Sequence, residues 1–126
     1  MRTEARVNGV VLTAEVIPMG DDLCVAVTGG DRPHLGSVAL AVPHPGITDP
    51  DLPSATVSTL NLPAHRDDAL ANGMAKTLSA ALGQPVAVLC GVHFDQFSPE
   101  MASDARRAAE ELCRQILARK REPEPG

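Results

Sequence analysis

The sequence has very few aromatic residues. Its 126 residues include no tryptophan, no tyrosine and two phenylalanines, Phe94 and Phe97. Because the apolar fraction is still 44%, as in ordinary globular proteins, valine, leucine and alanine must fill the core. Such small side chains favour close packing between helices and strands.

Basic clusters and long hydrophobic runs are also scarce. The formal net charge is -5, and the one basic run, residues 119–121, closes a helical pattern, where the helix dipole favours cations. Nucleic-acid binding needs a clustered basic surface, so we expect no nucleic-acid partner. No apolar run reaches the roughly 20 residues that a membrane span needs, so we expect no membrane insertion.

The sequence has three cysteines and no Cys-x-x-Cys motif. Cys24, Cys90 and Cys113 are widely spaced, and the first residues lack the apolar stretch of a signal peptide. These features predict a reduced, cytoplasmic protein. We interpret Cys24 and Cys90 as small buried residues within strands rather than as nucleophiles.

The spacing of apolar residues predicts an α+β fold. Strands are expected at residues 5–17, 23–28, 37–42, 54–62 and 86–92, with helices from Arg66 to Leu82 and from Pro99 to about Arg119. This order, ββββαβα, predicts a two-layer sandwich with a mostly antiparallel sheet of about five strands and both helices on one face. One domain would cover residues 1–120, followed by a disordered tail at 121–126.

Two further expectations follow from this pattern. Residues 86–92 form an unbroken apolar run, which is typical of a strand that is central in the sheet or covered on both faces. With both helices on one face, the other face lacks a cover. We therefore predict a homodimer or a higher symmetric assembly.

Three histidines lie where an apolar run gives way to a turn. His34 follows a glycine pair and Arg32, His65 precedes Arg66 at a helix start, and His93 is followed closely by Asp95. Imidazole, guanidinium and carboxylate groups brought together at strand ends can hold a phosphate, a metal or a reacting proton. His44, between two prolines, is predicted to be an exposed turn residue instead.

Each junction has a functional and a purely structural interpretation. His65 and Arg66 at a helix start suit a phosphate, although an ordinary solvated helix entry has the same composition. Gly30 allows close approach of a ligand to the backbone, although a long hairpin turn also uses glycine. Asp95 is suited to fix the tautomer of His93, which could also be a buried structural histidine.

The fourth strand carries hydroxyl groups on one face, with Thr56 and Ser58 among them. Such residues either line a solvent-exposed face or donate to phosphate oxygens. Zinc binding is disfavoured because the histidines lack compact ligand spacing, and no Gly-x-Ser-x-Gly motif marks a nucleophile. Binding is thus favoured, and the alternative is a small metal- or histidine-dependent enzyme acting on a phosphorylated or anionic small molecule.

Three stretches carry a family resemblance: GG at 29–30 with PHLGSVA at 33–39, STLNLPAHRDD at 58–68, and GVHFD at 91–95. In these motifs, and over residues 5–119, the sequence resembles the LpdD-like prenylated-flavin chaperones, small accessory proteins of gallate decarboxylase systems. The resemblance implies that the protein binds prenylated FMN, or FMN. It further implies delivery to a UbiD-type decarboxylase made beside a UbiX-type prenyltransferase, with no catalytic residue or metal ligand.

The resemblance also implies roles for the residues at the junctions. The phosphate would be held by His65 and Arg66 together with the Thr56 and Ser58 hydroxyls. The remaining cofactor-binding residues, facing the phosphate or the polar edge of the ring, would be Gly30, Arg32, His34, His93 and Asp95. Since only two phenylalanines are present, the ring would rest mainly on aliphatic side chains.

Overall fold

The structure, a computed structural model, describes residues 1–62 and 68–121. Six strands and two helices make up this part of the chain. They are β1 (Arg2–Val7), β2 (Val10–Met19), β3 (Asp22–Gly30), β4 (Ser37–Pro45), β5 (Pro53–Asn61), α1 (Asp68–Leu82), β6 (Val86–His93) and α2 (Pro99–Arg121). The predicted α+β class is confirmed, with a mostly antiparallel sheet and two helices.

The strand count is six rather than five. The single strand predicted at residues 5–17 is a hairpin that turns at Asn8 and Gly9, whose φ angles are 49° and 87°. Two-residue hairpin turns of type I′ need positive φ at both central residues, and Asn-Gly is the pair that adopts them most easily. That dipeptide was the sequence signal for the extra strand.

The sheet order is β1-β2-β3-β6-β4-β5, so β6 lies between two strands that precede it in the chain. It pairs parallel with β3 and antiparallel with β4. The simplest connection of the predicted strands is an antiparallel meander, in which each strand pairs with the next; this is wrong between β3 and β4, because β6 lies between them. The central place of β6 confirms the expectation drawn from its unbroken apolar run.

Strand β4 extends past its predicted end at Val42 and includes His44, which was expected in a turn. Pairing with β6 stops at Ala41 and Val86, so from Pro43 onward β4 pairs only with β5. Proline lacks a backbone N–H and is tolerated where one side of a strand needs no ladder hydrogen bonds. The loss of the neighbouring strand therefore lets two prolines stay within β4.

The two faces of the sheet differ in cover. Both helices pack on the face that we call the covered face, where alternate strand residues are buried with the inner sides of α1 and α2. Its centre includes Leu12, Val25, Ala39 and Val88, all of which are fully buried. The opposite face, which we call the open face, carries Ile17, Cys24, Ala26, Val38, Leu40, Val42, Leu60, Ala87 and Leu89.

Local chemistry explains where α2 begins and where α1 ends. Helix α2 follows Ser98, whose Oγ accepts the backbone N–H of Met101 at 3.2 Å, and Pro99 occupies its first position. Helix α1 is followed by Gly83 at φ 68°, a left-handed conformation that favours glycine. Helix α2 continues to Arg121, two residues past its predicted end. Neither described helix is long and apolar enough to span a membrane.

Candidate functional site

The loop of residues 31–36 crosses over the open face at the end of β6. Its backbone is anchored there, because Asp31 N donates to the His93 carbonyl at 2.7 Å and Gly36 N donates to the Cys90 carbonyl at 2.9 Å. A Cβ atom on Gly91 would overlap the His34 carbonyl group. Glycine at position 91 is therefore what allows the two backbones to touch.

This crossing assembles a group of side chains that we call the strand-end cluster, consisting of Arg32, His34, His93 and Asp95. Asp95 Oδ1 lies 3.2 Å from an Arg32 guanidinium nitrogen and 3.3 Å from His93 Nε2. The ring centroids of His34 and His93 are 5.8 Å apart in an edge-on arrangement. Parallel pairing of β3 with β6 explains the cluster, because it places Gly30 opposite His93 at the same end of the sheet.

The cluster is accessible to a ligand. The side chains of Arg32, Asp95 and His93 are 74%, 48% and 41% exposed, whereas both ring nitrogens of His34 are shielded from solvent. Ion pairs this exposed contribute roughly 0–1 kcal/mol to stability. The backbone therefore positions these side chains more than their mutual attraction does. Asp31 Oδ2 accepts a hydrogen bond from the backbone N–H of Asp95 at 2.9 Å and so fixes the backbone at Asp95. The arrangement presents guanidinium and imidazole donors at a strand end.

A second polar group lies at the same end of the sheet but on the covered face. Ser37, 1% exposed, donates from Oγ to Asn61 Oδ1 at 2.6 Å, and the Thr59 hydroxyl donates to the side-chain oxygen of Asn72 on α1. Sequence reasoning missed this group as a site. Its signal was alternation, since Thr59 and Asn61 are polar at positions where β5 faces the helices.

Thr56 and Ser58 do not join the strand-end cluster. The alternation of β5 was predicted correctly, but its register sets Ser58 opposite Leu40 and level with Ala87, six residues before His93. At about 3.3 Å per residue that is roughly 20 Å along the strand, and Thr56 is farther away. The Thr56 hydroxyl instead lies 2.9 Å from His44 Nε2.

The other predicted site residues divide into two groups. Gly30, Arg32, His34, His93 and Asp95 are brought together, with Gly30 in the left-handed conformation at φ 79°. His65 and Arg66 lie outside the described residues, as do residues 122–126 of the predicted tail. Within the described chain no three histidine, cysteine or acidic side chains group as a metal site.

A groove of about 370 Å³ separates the outer parts of the two helices. Its lining residues combine an apolar base with charged side chains: Ala69, Leu70, Gly73, Met74, Thr77, Arg106, Ala109, Glu110, Cys113, Arg114 and Leu117. Burial raises the pKa of the Cys113 thiol to about 12, so the sulfur stays neutral at physiological pH. None of the predicted site residues that the structure describes lines this groove.

Residues 6–121 match the family described as the prenylated flavin chaperone LpdD-like domain. Protein LpdD of Lactiplantibacillus plantarum (strain ATCC BAA-793 / NCIMB 8826 / WCFS1) is 28% identical over 106 residues, which cover 79% of this chain and 70% of that protein.

A solved structure shares the fold at low sequence similarity. It is a chain from the crystal structure of a chaperone complex for yeast 20S proteasome assembly, with a TM-score of 0.54, 15% identity and 94% of each chain covered. At that identity the likeness concerns the fold alone. The family match spans nearly the whole described chain, and the chain therefore belongs to the prenylated flavin chaperone LpdD-like family.

Proposed function

We propose that this protein binds prenylated FMN, or FMN, and acts as a cofactor chaperone for a UbiD-type decarboxylase without catalysing a reaction itself. The observation that carries the proposal is the strand-end cluster, which gathers four of the predicted cofactor-binding residues at one accessible strand end, with a fifth, Gly30, paired opposite His93. Membership of the chaperone family supplies the class of function.

The chemistry of the cluster suits the phosphate of such a cofactor. Arg32 is mostly exposed and contacts only one oxygen of Asp95 closely, so its guanidinium can turn to a phosphate oxygen and form charge-assisted hydrogen bonds. His93 Nε2 lies beside the same carboxylate oxygen and is held in a defined orientation by it. Asp95 in this proposal is the residue that positions both donors.

The accessibility of the cluster also suits a carrier that must release its ligand. A site with donors that are 74% and 41% exposed lets a partner enzyme reach the bound cofactor without unfolding the carrier. We therefore assign the UbiD-type decarboxylase as recipient and a UbiX-type prenyltransferase as the source of the cofactor. Both assignments derive from the family resemblance and are part of the proposal.

Isothermal titration calorimetry with prenylated FMN, FMN and riboflavin tests the binding step. We expect both FMN compounds to bind more tightly than riboflavin, which lacks the phosphate. Arg32→Gln and His93→Gln should each weaken FMN binding by about tenfold, the effect of losing one hydrogen bond to a charged group. His44→Gln is the matched control, because His44 lies beside Thr56 far from the cluster.

A reconstitution assay tests the chaperone step. An apo UbiD-type decarboxylase mixed with limiting prenylated FMN should gain activity faster in the presence of this protein than in its absence, and faster than with the Arg32→Gln variant. The proposal fails if neither FMN compound binds. It also fails if His44→Gln weakens binding as much as His93→Gln does.

A further inference from the structure

The open face is an apolar surface that the described chain leaves uncovered. Five large apolar side chains on it are between 47% and 76% exposed, namely Ile17, Met19, Leu40, Val42 and Leu60. Isolated exposed apolar residues are normal on soluble proteins, but a contiguous patch on one sheet face marks an interaction surface. We propose that a second copy of this chain packs on the open face, sheet against sheet.

The size of the patch fits a dimer. The patch is five strands wide, in the order β2, β3, β6, β4 and β5, which is about 24 Å at 4.8 Å per strand. Along the strands it is three rows of side chains long, which is roughly 20 Å. The projected area is on the order of 500 Å², and side-chain relief increases the accessible area above that value. A standard interface buries about 800 Å² of accessible surface per partner, which is of the same order.

The shape of the patch fits another sheet. In the row of side chains that runs from Ile17 on β2 to Leu40 on β4, the middle strands β3 and β6 place the small residues Cys24 and Ala87. In the next row, Leu89 of β6 is larger. The small residues of the first row leave a shallow trough bordered by Ile17 and Leu40. Sheets pack face to face when side chains of one enter gaps on the other, and the large residues of a second copy suit this trough.

The charges on the face favour a second copy over a partner recognised by charge. They concentrate at the β1 and β2 margin, where Arg2 and Glu15 form an exposed ion pair of 3.4 Å. At the opposite margin the outward side chains of β5 are Ser54, Thr56, Ser58 and Leu60, all uncharged. A two-fold axis parallel to the strands places each charged margin over the uncharged margin of the partner, so like charges do not meet.

This interface leaves the strand-end cluster free. The crossing loop at residues 31–36 lies on the open face over Gly91 and closes the patch at that end. A second sheet packed on the remaining strands stops before the loop. The dimer would therefore carry two cofactor sites beside its interface. Dimerisation through the open face does not require those sites to bind a flavin.

Sedimentation velocity of the full chain tests the dimer, with Leu40→Lys on the open face and Ile47→Lys as the control. Ile47 is 93% exposed and lies in the loop between β4 and β5, so the same substitution there leaves the face intact. At on the order of 10 µM we expect wild type and Ile47→Lys to sediment at twice the chain mass of 13.2 kDa and Leu40→Lys at 13.2 kDa.

Circular dichroism of each variant checks folding, and Leu40→Thr replaces Leu40→Lys if the charged variant does not fold. A wild-type monomer at that concentration overturns the proposal, as does a Leu40→Lys or Leu40→Thr protein that dimerises like wild type. A monomeric wild type whose binding to the decarboxylase is weakened by the Leu40 substitution also overturns it, because the face would then belong to the client enzyme.

Discussion

The covered and open faces of the sheet are made from alternate residues of the same strands, yet they are used differently. In β4, Ala41 is fully buried beneath α1, while its neighbour Leu40 points to the open face and is nearly half exposed. The smaller side chain lies under the helix and the larger one outside. The small side chain of Ala41 allows α1 to approach the sheet closely, and the exposed Leu40 leaves apolar surface for a partner.

The largest contrast between the faces should appear on truncating a leucine. Leu78→Ala removes a fully buried side chain of α1 and should lower the free energy of unfolding by about 2–5 kcal/mol, since a cavity forms in the core. Leu60→Ala, at a residue 76% exposed on the open face, should change it by roughly 0.5 kcal/mol at most in the monomer. Urea denaturation at low protein concentration measures both, and equal losses would contradict the distinction.

Two glycines offer the next contrast. Gly91→Ala should destabilise the protein by about 1–3 kcal/mol, because the added Cβ overlaps the His34 carbonyl and must push the crossing loop off the open face. Gly73→Ala is the matched control on α1. No atom lies within 4 Å of its added Cβ, so it should stabilise the helix by roughly 0.5–1 kcal/mol.

Thermal unfolding of the two alanine variants measures this difference. FMN titration adds a second reading, since Gly91→Ala should also weaken binding at the strand-end cluster whereas Gly73→Ala should not. A Gly91→Ala protein with wild-type stability would mean that the loop does not rest on β6.

The buried thiol of Cys113 in the helical layer should make stability depend on pH. Burial raises the pKa of Cys113 from 9.0 to about 12, so above pH 9 the thiol ionises in the unfolded chain but not in the folded one. Stability should therefore be fully present below pH 9 and decline by up to about 1.4 kcal/mol per pH unit between 9 and 12. Denaturant titrations at pH 8, 9 and 10 would measure the decline.

Cys113→Ala should flatten that dependence. Cys24→Ala on the open face is the control and should retain the wild-type slope, because Cys113 is still present. If Cys113→Ala loses stability above pH 9 as steeply as wild type, another group is responsible.

The smallest effect is expected at the charged margin of the open face. Glu15→Gln removes the partner of Arg2 from a pair whose side chains are 51% and 71% exposed. Such pairs contribute little, so unfolding should change by less than about 0.5 kcal/mol. Denaturation of the monomer at low protein concentration, in low and in high salt, checks this, and a loss above about 1 kcal/mol would contradict it.

Much of the fold followed from local pattern, and the differences have physical causes. The unbroken apolar run of β6 predicted its central place, and the helix signals at Pro99 and Gly83 placed the helix limits within two residues. The hairpin at Asn8 was missed because residues 5–17 are continuously β-prone on either side of it. The crossing of residues 31–36 over β6 depends on pairing between strands some 60 residues apart, which local periodicity does not encode.

The candidate site shows the same division. The junctions of His34 and His93 were identified from sequence, and the structure joins them because β3 and β6 run parallel. The shared face of Thr56 and Ser58 was predicted correctly, but their distance from the strand-end cluster was not, since a period of two fixes the face and only the register fixes the position along the sheet.

By itself the sequence determined the α+β class, the alternation of β5, the central place of β6, and the residue types able to hold a phosphate. Those features depend on side-chain periodicity and on local caps and turns, which act within a few residues. Tertiary structure alone decided that β6 enters between β3 and β4 and that Gly91 receives the crossing loop. These are set by long-range pairing and packing, in which the favourable contact is between residues that the chain order keeps apart.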